Sequence, residues 1–202
     1  MRNNMMVSER EAERAKRLNQ LYLAIISRYK SYIEEKEELS VAELPTIVAH
    51  RGAMVAKKAA EIKSEFPSYS YDSDFPGASK KAFEFVRDSV EEISMPIQFW
   101  LDPDETLSFL MGDLIDKNVL LCSLLINLGN PGSKVLVIKR ESSMDIYTHF
   151  EFGGKIFLAD LNKEMRTFES YDSMISAFGI SEADTAYEFN NQSYADIYPK
   201  QQ

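Results

Sequence analysis

The chain has 202 residues, 45% of them apolar and 27% charged, with a net charge of −9. That length can bury a real core, in one domain with an extension or in two small ones. The acidity repels phosphate backbones, which argues against nucleic acid as the main partner, and the single cysteine, Cys122, excludes an internal disulfide and any multi-cysteine metal site.

The charge is unevenly placed. Residues 1–66 hold 12 basic and 10 acidic side chains, whereas residues 67–202 hold 11 basic and 22 acidic ones. Solubility is the plain meaning of the acidic part. The longest apolar stretch, Val119 to Leu128, is broken by Ser123 and Asn127 and is too short to span a bilayer. The first ten residues carry no apolar run of the secretory kind, so a cytoplasmic protein without a membrane partner is expected.

From about Ser8 to Glu38 the pattern is helical, with Leu18, Leu21, Ile25, Tyr29, Tyr32 and Ile33 at three- and four-residue steps. Glu34 to Glu38 and Pro45 mark a break, and a second helix is expected from near Thr46 to Phe66 through Val48, Val55, Ala59 and Ile62. The pair reads as a helical hairpin, either a partner-binding or dimerising arm or a layer over the domain's own core. Residues 67–77 are rich in turn formers and read as a connector. Ser79 is the expected N-cap of an amphipathic helix through Phe83, Val86, Val90 and Ile93, closed by Pro96, with Ile97 to Leu101 as a short strand.

A central helix should begin at Asp113, whose carboxylate can cap its free N–H groups, and end at Gly129. From Val119 onward it is apolar on nearly all sides, which marks a helix buried among other elements. Lys134 to Lys139 and Asp145 to Phe152 read as strands, Gly153-Gly154 as a two-residue turn, and Lys155 to Asp160 as the returning strand. The tail is expected to hold a helix near Tyr171–Phe178, then loop.

A two-residue turn pairs Phe152 with Lys155, which sets His149 opposite Leu158 and Tyr147 opposite Asp160. His149 and Asp160 then share a face as diagonal neighbours, roughly 7–8 Å apart along the backbone, while Phe150, Phe152 and Phe157 face the core. A carboxylate beside an imidazole fixes its tautomer and supports its charged form. A cysteine enzyme would add a thiol at a helix N-terminus, where the helix dipole lowers its pKa. The helix start at Asp113–Ile115 is present, but the residue there is Leu114.

Gly112-Asp113-Leu114-Ile115-Asp116-Lys117, running into an apolar helix that ends at Gly129, resembles the nucleophile helix of transglutaminase-like proteins, whose pattern is Gly-Asp-Cys-x-Asp-Lys. Phe83-Glu84-Phe85-Val86-Arg87-Asp88 is similar to the preceding helix of that family, and Glu105-Thr106-Leu107 to the lead-in before the motif. Thr148-His149-Phe150-Glu151 resembles its histidine strand and Phe157-Leu158-Ala159-Asp160 its aspartate strand. These pieces stand in the family's order over about residues 78–170.

The resemblance implies an α+β fold with a transglutaminase-like, papain-like cysteine protease type of core: a buried helix packed on a small antiparallel sheet. Residues 78–202 would form that core, behind the N-terminal helical extension 1–66 and the connector 67–77. It also implies His149 as general base and Asp160 as its orienting partner, a remnant dyad with Leu114 at the nucleophile position. A hydrocarbon is no nucleophile, so thiol-dependent transamidation, deamidation and hydrolysis are not expected.

Cys122 cannot substitute, because eight residues along a helix place it about 12 Å away and about 80° round the axis, inside the apolar stretch. It reads as a buried structural cysteine. His149, Glu151 and Asp160 share a face, but one histidine with two carboxylates is a weak metal set, and no metal or cofactor is expected. Asp113 and Asp116 have structural work at a helix start, and His50 reads as a surface or capping residue. The function that follows is a catalytically inactive transglutaminase-like protein, a protein- or peptide-binding or structural module. Two alternatives stand beside it: a hydrolase using a His149-activated or metal-bound water, and an interaction protein acting through its N-terminal helices.

Overall fold

The computed structural model describes residues 2–35, 44–48, 52–94 and 100–198. His50 and most of the strand expected over Ile97–Leu101 fall outside them. Helices α1 (Arg2–Glu35), α2 (Leu44–Ile47), α3 (Ala53–Ser64) and α4 (Tyr71–Ser89) come first. The two-residue strands β1 (Glu91–Glu92) and β2 (Met111–Gly112) pair in parallel on either side of α5 (Pro103–Phe109). Then come α6 (Leu114–Leu128), strands β3 (Lys134–Lys139), β4 (Met144–Phe152), β5 (Lys155–Ala159) and β6 (Met165–Phe168), α7 (Tyr171–Ser176), β7 (Thr185–Phe189) and β8 (Tyr194–Ile197).

The last six strands form one antiparallel sheet in the order β6-β5-β4-β3-β7-β8, so the α+β expectation is met. The Gly153-Gly154 turn has positive φ at both residues, which two glycines adopt without strain, and it sets the expected register of Phe152 on Lys155 and His149 on Leu158.

Helix α6 is the centre of the molecule. Asp113 caps it by accepting from the Asp116 N–H, and Asp116 answers by accepting from the Asp113 N–H, a closed capping box. Gly129, at φ 115°, ends it in the left-handed conformation that favours glycine. One side of α6 packs on α3 and α4 through Leu120, Leu121, Leu124, Leu125 and Leu128; the other packs on the sheet through Ile115, Val119 and Cys122. Alternation along the strands sends Val135, Val137, Ile146, Thr148, Phe150 and Phe189 toward α6. The intervening Leu136, Ile138 and Leu158 face the opposite side, where Met174 and the rest of α7 cover them.

Several local expectations differ from the structure. Residues 71–77, read as connector, are the first turns of α4, which begins after Ser70 and runs through Pro76 and Gly77. Burial of Phe75, Ala78 and Ala82 against α6 outweighs the breaking tendency of those two residues. Ser79 is therefore not an N-cap; it is buried in mid-helix with its hydroxyl donating to the Pro76 carbonyl. Helix α3 places Val55, Ala59 and Ile62 in the core shared with α4 and α6. Helix α1 instead lays Leu18, Leu21 and Ile25 on Leu101, Met111, Ile93 and Phe109. The tail expected as loop contains β7 and β8. No helix among the described residues is long and apolar enough to cross a membrane.

Candidate functional site

The start of α6 is built with little slack. A Cβ on Gly112 would lie 2.8 Å from the Asp116 Cβ, so only glycine fits against that side chain. Asp116 accepts from Leu101 N–H at 2.8 Å as well as from Asp113, and so ties the segment after the β1 region to the helix start. Burial, and then the charge of Asp113, push its pKa up to about 8 against the pull of those two N–H donors. Burial also raises Asp113. Lys117, almost wholly buried, lies 3.7 Å from Glu92, and burial lowers its pKa. The Gly-Asp-x-x-Asp-Lys pattern is thus accounted for by scaffold geometry.

A cleft of about 720 Å³ opens over this helix start. Its floor is hydrocarbon: Leu114 and Ile115 from α6, Met144 and Ile146 from β4, with Ile93 and Trp100 on the side. It is lined as well by Glu92 and Asp113, by Lys139 at the end of β3, and by Arg140 and Glu141 of the β3–β4 turn. Arg140 pairs with Asp145 and donates to the Phe178 carbonyl. Trp100 keeps its indole N–H buried with no hydrogen-bond partner among the described residues.

His149 is elsewhere. Thr148 donates its hydroxyl to Asn118 Oδ1 at 2.9 Å and to the Asn118 carbonyl, which staples β4 to α6 and points Thr148 at the helix. The next residue on a strand must point the other way, and His149 does, packing 5.8 Å from the Tyr171 ring of α7. Its Nε2 donates to Glu188 Oε2 at 2.9 Å; Tyr171 donates to the same oxygen and Lys134 to Oε1. Burial alone would raise Glu188, but the hydrogen bonds and charges of His149 and Lys134 outweigh it and hold its pKa down to about 2. A carboxylate only accepts, so His149 Nε2 carries a proton.

Asp160, expected to orient His149, has other work. It is buried just beyond β5, accepts from the Asn162 N–H at 3.0 Å, and shapes the turn into β6, with Lys163 at 3.7 Å. The carboxylate that meets His149 is Glu188 of β7. The structure therefore does not gather Leu114, His149 and Asp160: the sheet stands between Leu114 and His149, and neither His149 nor Asp160 lines the cleft. Glu188 escaped the sequence reading because β7 did, although Ala186-Tyr187-Glu188-Phe189 before Asn190-Asn191 has strand-like alternation. Met144 and Ile146 gave no signal, since an apolar residue in a strand looks like core.

Cys122 is fully buried, its thiol donating to the Ser133 carbonyl, and burial raises its pKa. Among the described residues no three His, Cys, Asp or Glu side chains are grouped to hold a metal ion.

The arrangement of helices packed on a six-stranded antiparallel sheet has counterparts among solved structures. No protein-family model matches the chain, and no curated protein matches its sequence. Two solved structures of Legionella pneumophila LapG are similar to it. The EGTA-treated form has a TM-score of 0.50 at 11% identity, covering 81% of this chain and 89% of its own. A second has a TM-score of 0.50 at 12% identity, covering 77% and 87%. At that identity the likeness is one of fold.

Proposed function

We propose that this protein is a catalytically inactive relative of the transglutaminase-like enzymes whose cleft over the start of α6 holds an extended peptide segment of a partner protein. The observation that carries the reading is Leu114 in the cleft at the start of α6, with Met144 and Ile146 also lining it: the position that the resemblance gives to a thiol is hydrocarbon. Such a floor favours apolar side chains by roughly 25 cal/mol per Å² removed from water. The charged residues that line it, acidic at Glu92 and basic at Lys139 and Arg140, suit a backbone with polar side chains pointing outward. The capping box and the Asp116 tie keep the floor rigid, which lowers the ordering cost of binding. His149 and Asp160 serve in this reading as fold-stabilising groups, one in a buried ion cluster and one in a turn.

Panning a displayed library of random peptides against the full chain tests the proposal, with Trp100 fluorescence as a second reading of cleft occupancy. Enriched peptides with apolar side chains at alternate positions are expected, and Leu114→Glu should cut their affinity by at least about tenfold while the fold persists. Peptides that bind Leu114→Glu as well as the natural chain would place the binding surface elsewhere and defeat the reading.

A further inference from the structure

The cleft over α6 is not supported alike all round. Lys139, Arg140, Met144 and Ile146 come from β3, β4 and the turn between them, and so belong to the six-stranded sheet. Glu92, Ile93 and Trp100 have no such support. The first two lie at the end of β1, a two-residue strand whose partner, β2, is equally short. Glu91 donates its N–H to the Leu110 carbonyl at 2.9 Å, and Ile93 donates to that of Gly112 at 3.0 Å. A pair of strands alone is marginal in water even when longer than this.

Helix α1 supplies what β1 and β2 lack. None of its described residues lines the cleft, yet it grips this part of the lining along its length. Arg14 pairs with Glu91 at 2.6 Å, one residue before Glu92. Leu18, Leu21 and Ile25 pack with Ile93 and Leu101. Arg28 donates to the Trp100 carbonyl at 3.4 Å and to Asp102 at 3.3 Å, and pairs with Glu105 at 2.5 Å. Asp102 and Glu105 form the capping box that starts α5. One guanidinium therefore ties α1 both to a residue of the cleft and to the helix start that follows it. Leu101, between these partners, donates its N–H to Asp116 at 2.8 Å, which joins the same segment to the start of α6.

The grip is light for a helix of this size. At 34 residues α1 is about 51 Å long, but among its described residues only Leu21 and Ile25 are buried. The side chains of Arg14 and Arg28 are 52% and 42% exposed, and ion pairs that open to water contribute little each. An element held by few apolar contacts opens locally, well short of global unfolding.

We infer that α1 is a regulatory strap on the cleft: docked, it holds Ile93 and Trp100 in the lining through its Leu18–Ile25 stripe and Arg28, and released, it lets that lining loosen and the peptide leave. Arg28 is the positioning residue of this device. The inference rests on the cleft as a peptide site. Linkage makes the coupling reciprocal, so a peptide in the cleft must also tighten α1 on the body.

Trp100 is the single tryptophan of the chain, so acrylamide quenching of its fluorescence reads this lining on the full chain with no peptide present. Arg28→Ala should raise the quenching constant, shift the emission to the red, and weaken a peptide enriched by panning about fivefold or more. Its urea midpoint should stay close to that of the natural chain, because the side chain is exposed. Arg28→Lys should not restore the affinity, since an ammonium lacks the fork that spans a carbonyl and two carboxylates. Leu23→Ser, at a position 66% exposed on α1, should change neither reading. Hydrogen exchange across Arg14–Arg28 should slow when the peptide binds, a response that a merely structural helix outside the cleft would not give. Quenching unchanged in Arg28→Ala would overturn the positioning, and raised quenching with unchanged peptide affinity would overturn the coupling. A peptide that Leu114→Glu fails to weaken would defeat the cleft reading and the regulation with it. That outcome is distinct, because quenching in the peptide-free chain does not depend on it.

Discussion

The two faces of the sheet do opposite things with the same stock of residues. On the α6 face, beneath a cleft, the side chains that converge are Leu114, Met144 and Ile146, and the acids beside them, Asp113 and Asp116, have their pKa values raised by burial. On the α7 face, with Met174 and Tyr171 packed over it, His149, Glu188, Lys134 and Tyr171 form a closed network in which Glu188 is held well below its ordinary value. The open face sets Leu114, Met144 and Ile146 beneath its cleft; the face that has the imidazole–carboxylate pair buries it. A histidine beside a carboxylate is therefore no sign of a site until the face it occupies is known, and on a strand one position decides that.

The largest effect expected from this contrast is on the buried network. Glu188→Ala leaves His149 and Lys134 facing a gap, and removal of one partner from a buried ion pair costs about 3–5 kcal/mol. Lys134 is partly exposed, which favours the lower end. Urea unfolding measures it. A loss below about 1 kcal/mol would mean that the network is not closed as described.

A second effect follows from the opposite pKa shifts. Glu188 falls from 4.5 to about 2 in the folded chain. A depressed acid contributes stability that is complete above its unfolded pKa and is lost as pH falls from about 4.5 toward 2. Asp116 rises from 3.8 to about 8. A raised acid holds its proton more tightly when folded, so its contribution is complete below about 3.8 and is lost as pH climbs toward 8. Together they predict a stability maximum near pH 4 to 5, below the usual range of about 5 to 8. Urea midpoints against pH should show it, with Glu188→Gln flattening the acid limb and Asp116→Asn the upper one. A profile that rises steadily to pH 8 would show that the N–H donors on Asp116 outweigh its burial.

The unequal legibility of the two faces has a physical cause. Helix α6, its two ends and the β4–β5 hairpin could be read because their signals are local: a capping pair three residues apart, a glycine at each required positive φ, and an apolar run on all sides of a helix. The start of α4 could not, because Pro76 and Gly77 speak for a turn and only the burial of Phe75 and Ala78 against α6 overrules them. The partner of His149 was hidden for a related reason. Register along a hairpin predicts the neighbours within it, here Leu158, but not which strand lies two places away; β3 sits between β4 and β7, and Glu188 reaches His149 diagonally across it. Nothing local to His149 reports that.

The smallest effect is also the most discriminating between the faces. Leu114→Cys sets a thiol at the first turn of α6, in the cleft, where the helix N-terminus lowers its pKa and the nearby Asp113 and Glu92 oppose that pull. Alkylation rate against pH gives its apparent pKa, and Cys122 does not interfere because it is fully buried. With the sheet between them, His149→Asn should leave that pKa unchanged, whereas Ile146→His, on the strand position that does line the cleft, should lower it measurably. A thiol pKa that rises on loss of His149 would mean that the imidazole reaches the cleft after all, and would return His149 to the role its resemblance implied. Indifference to His149 together with a response at position 146 would place the strand position that can reach a thiol at 114 on the α6 face, and leave the His149–Glu188 pair as part of what holds α7 to the sheet.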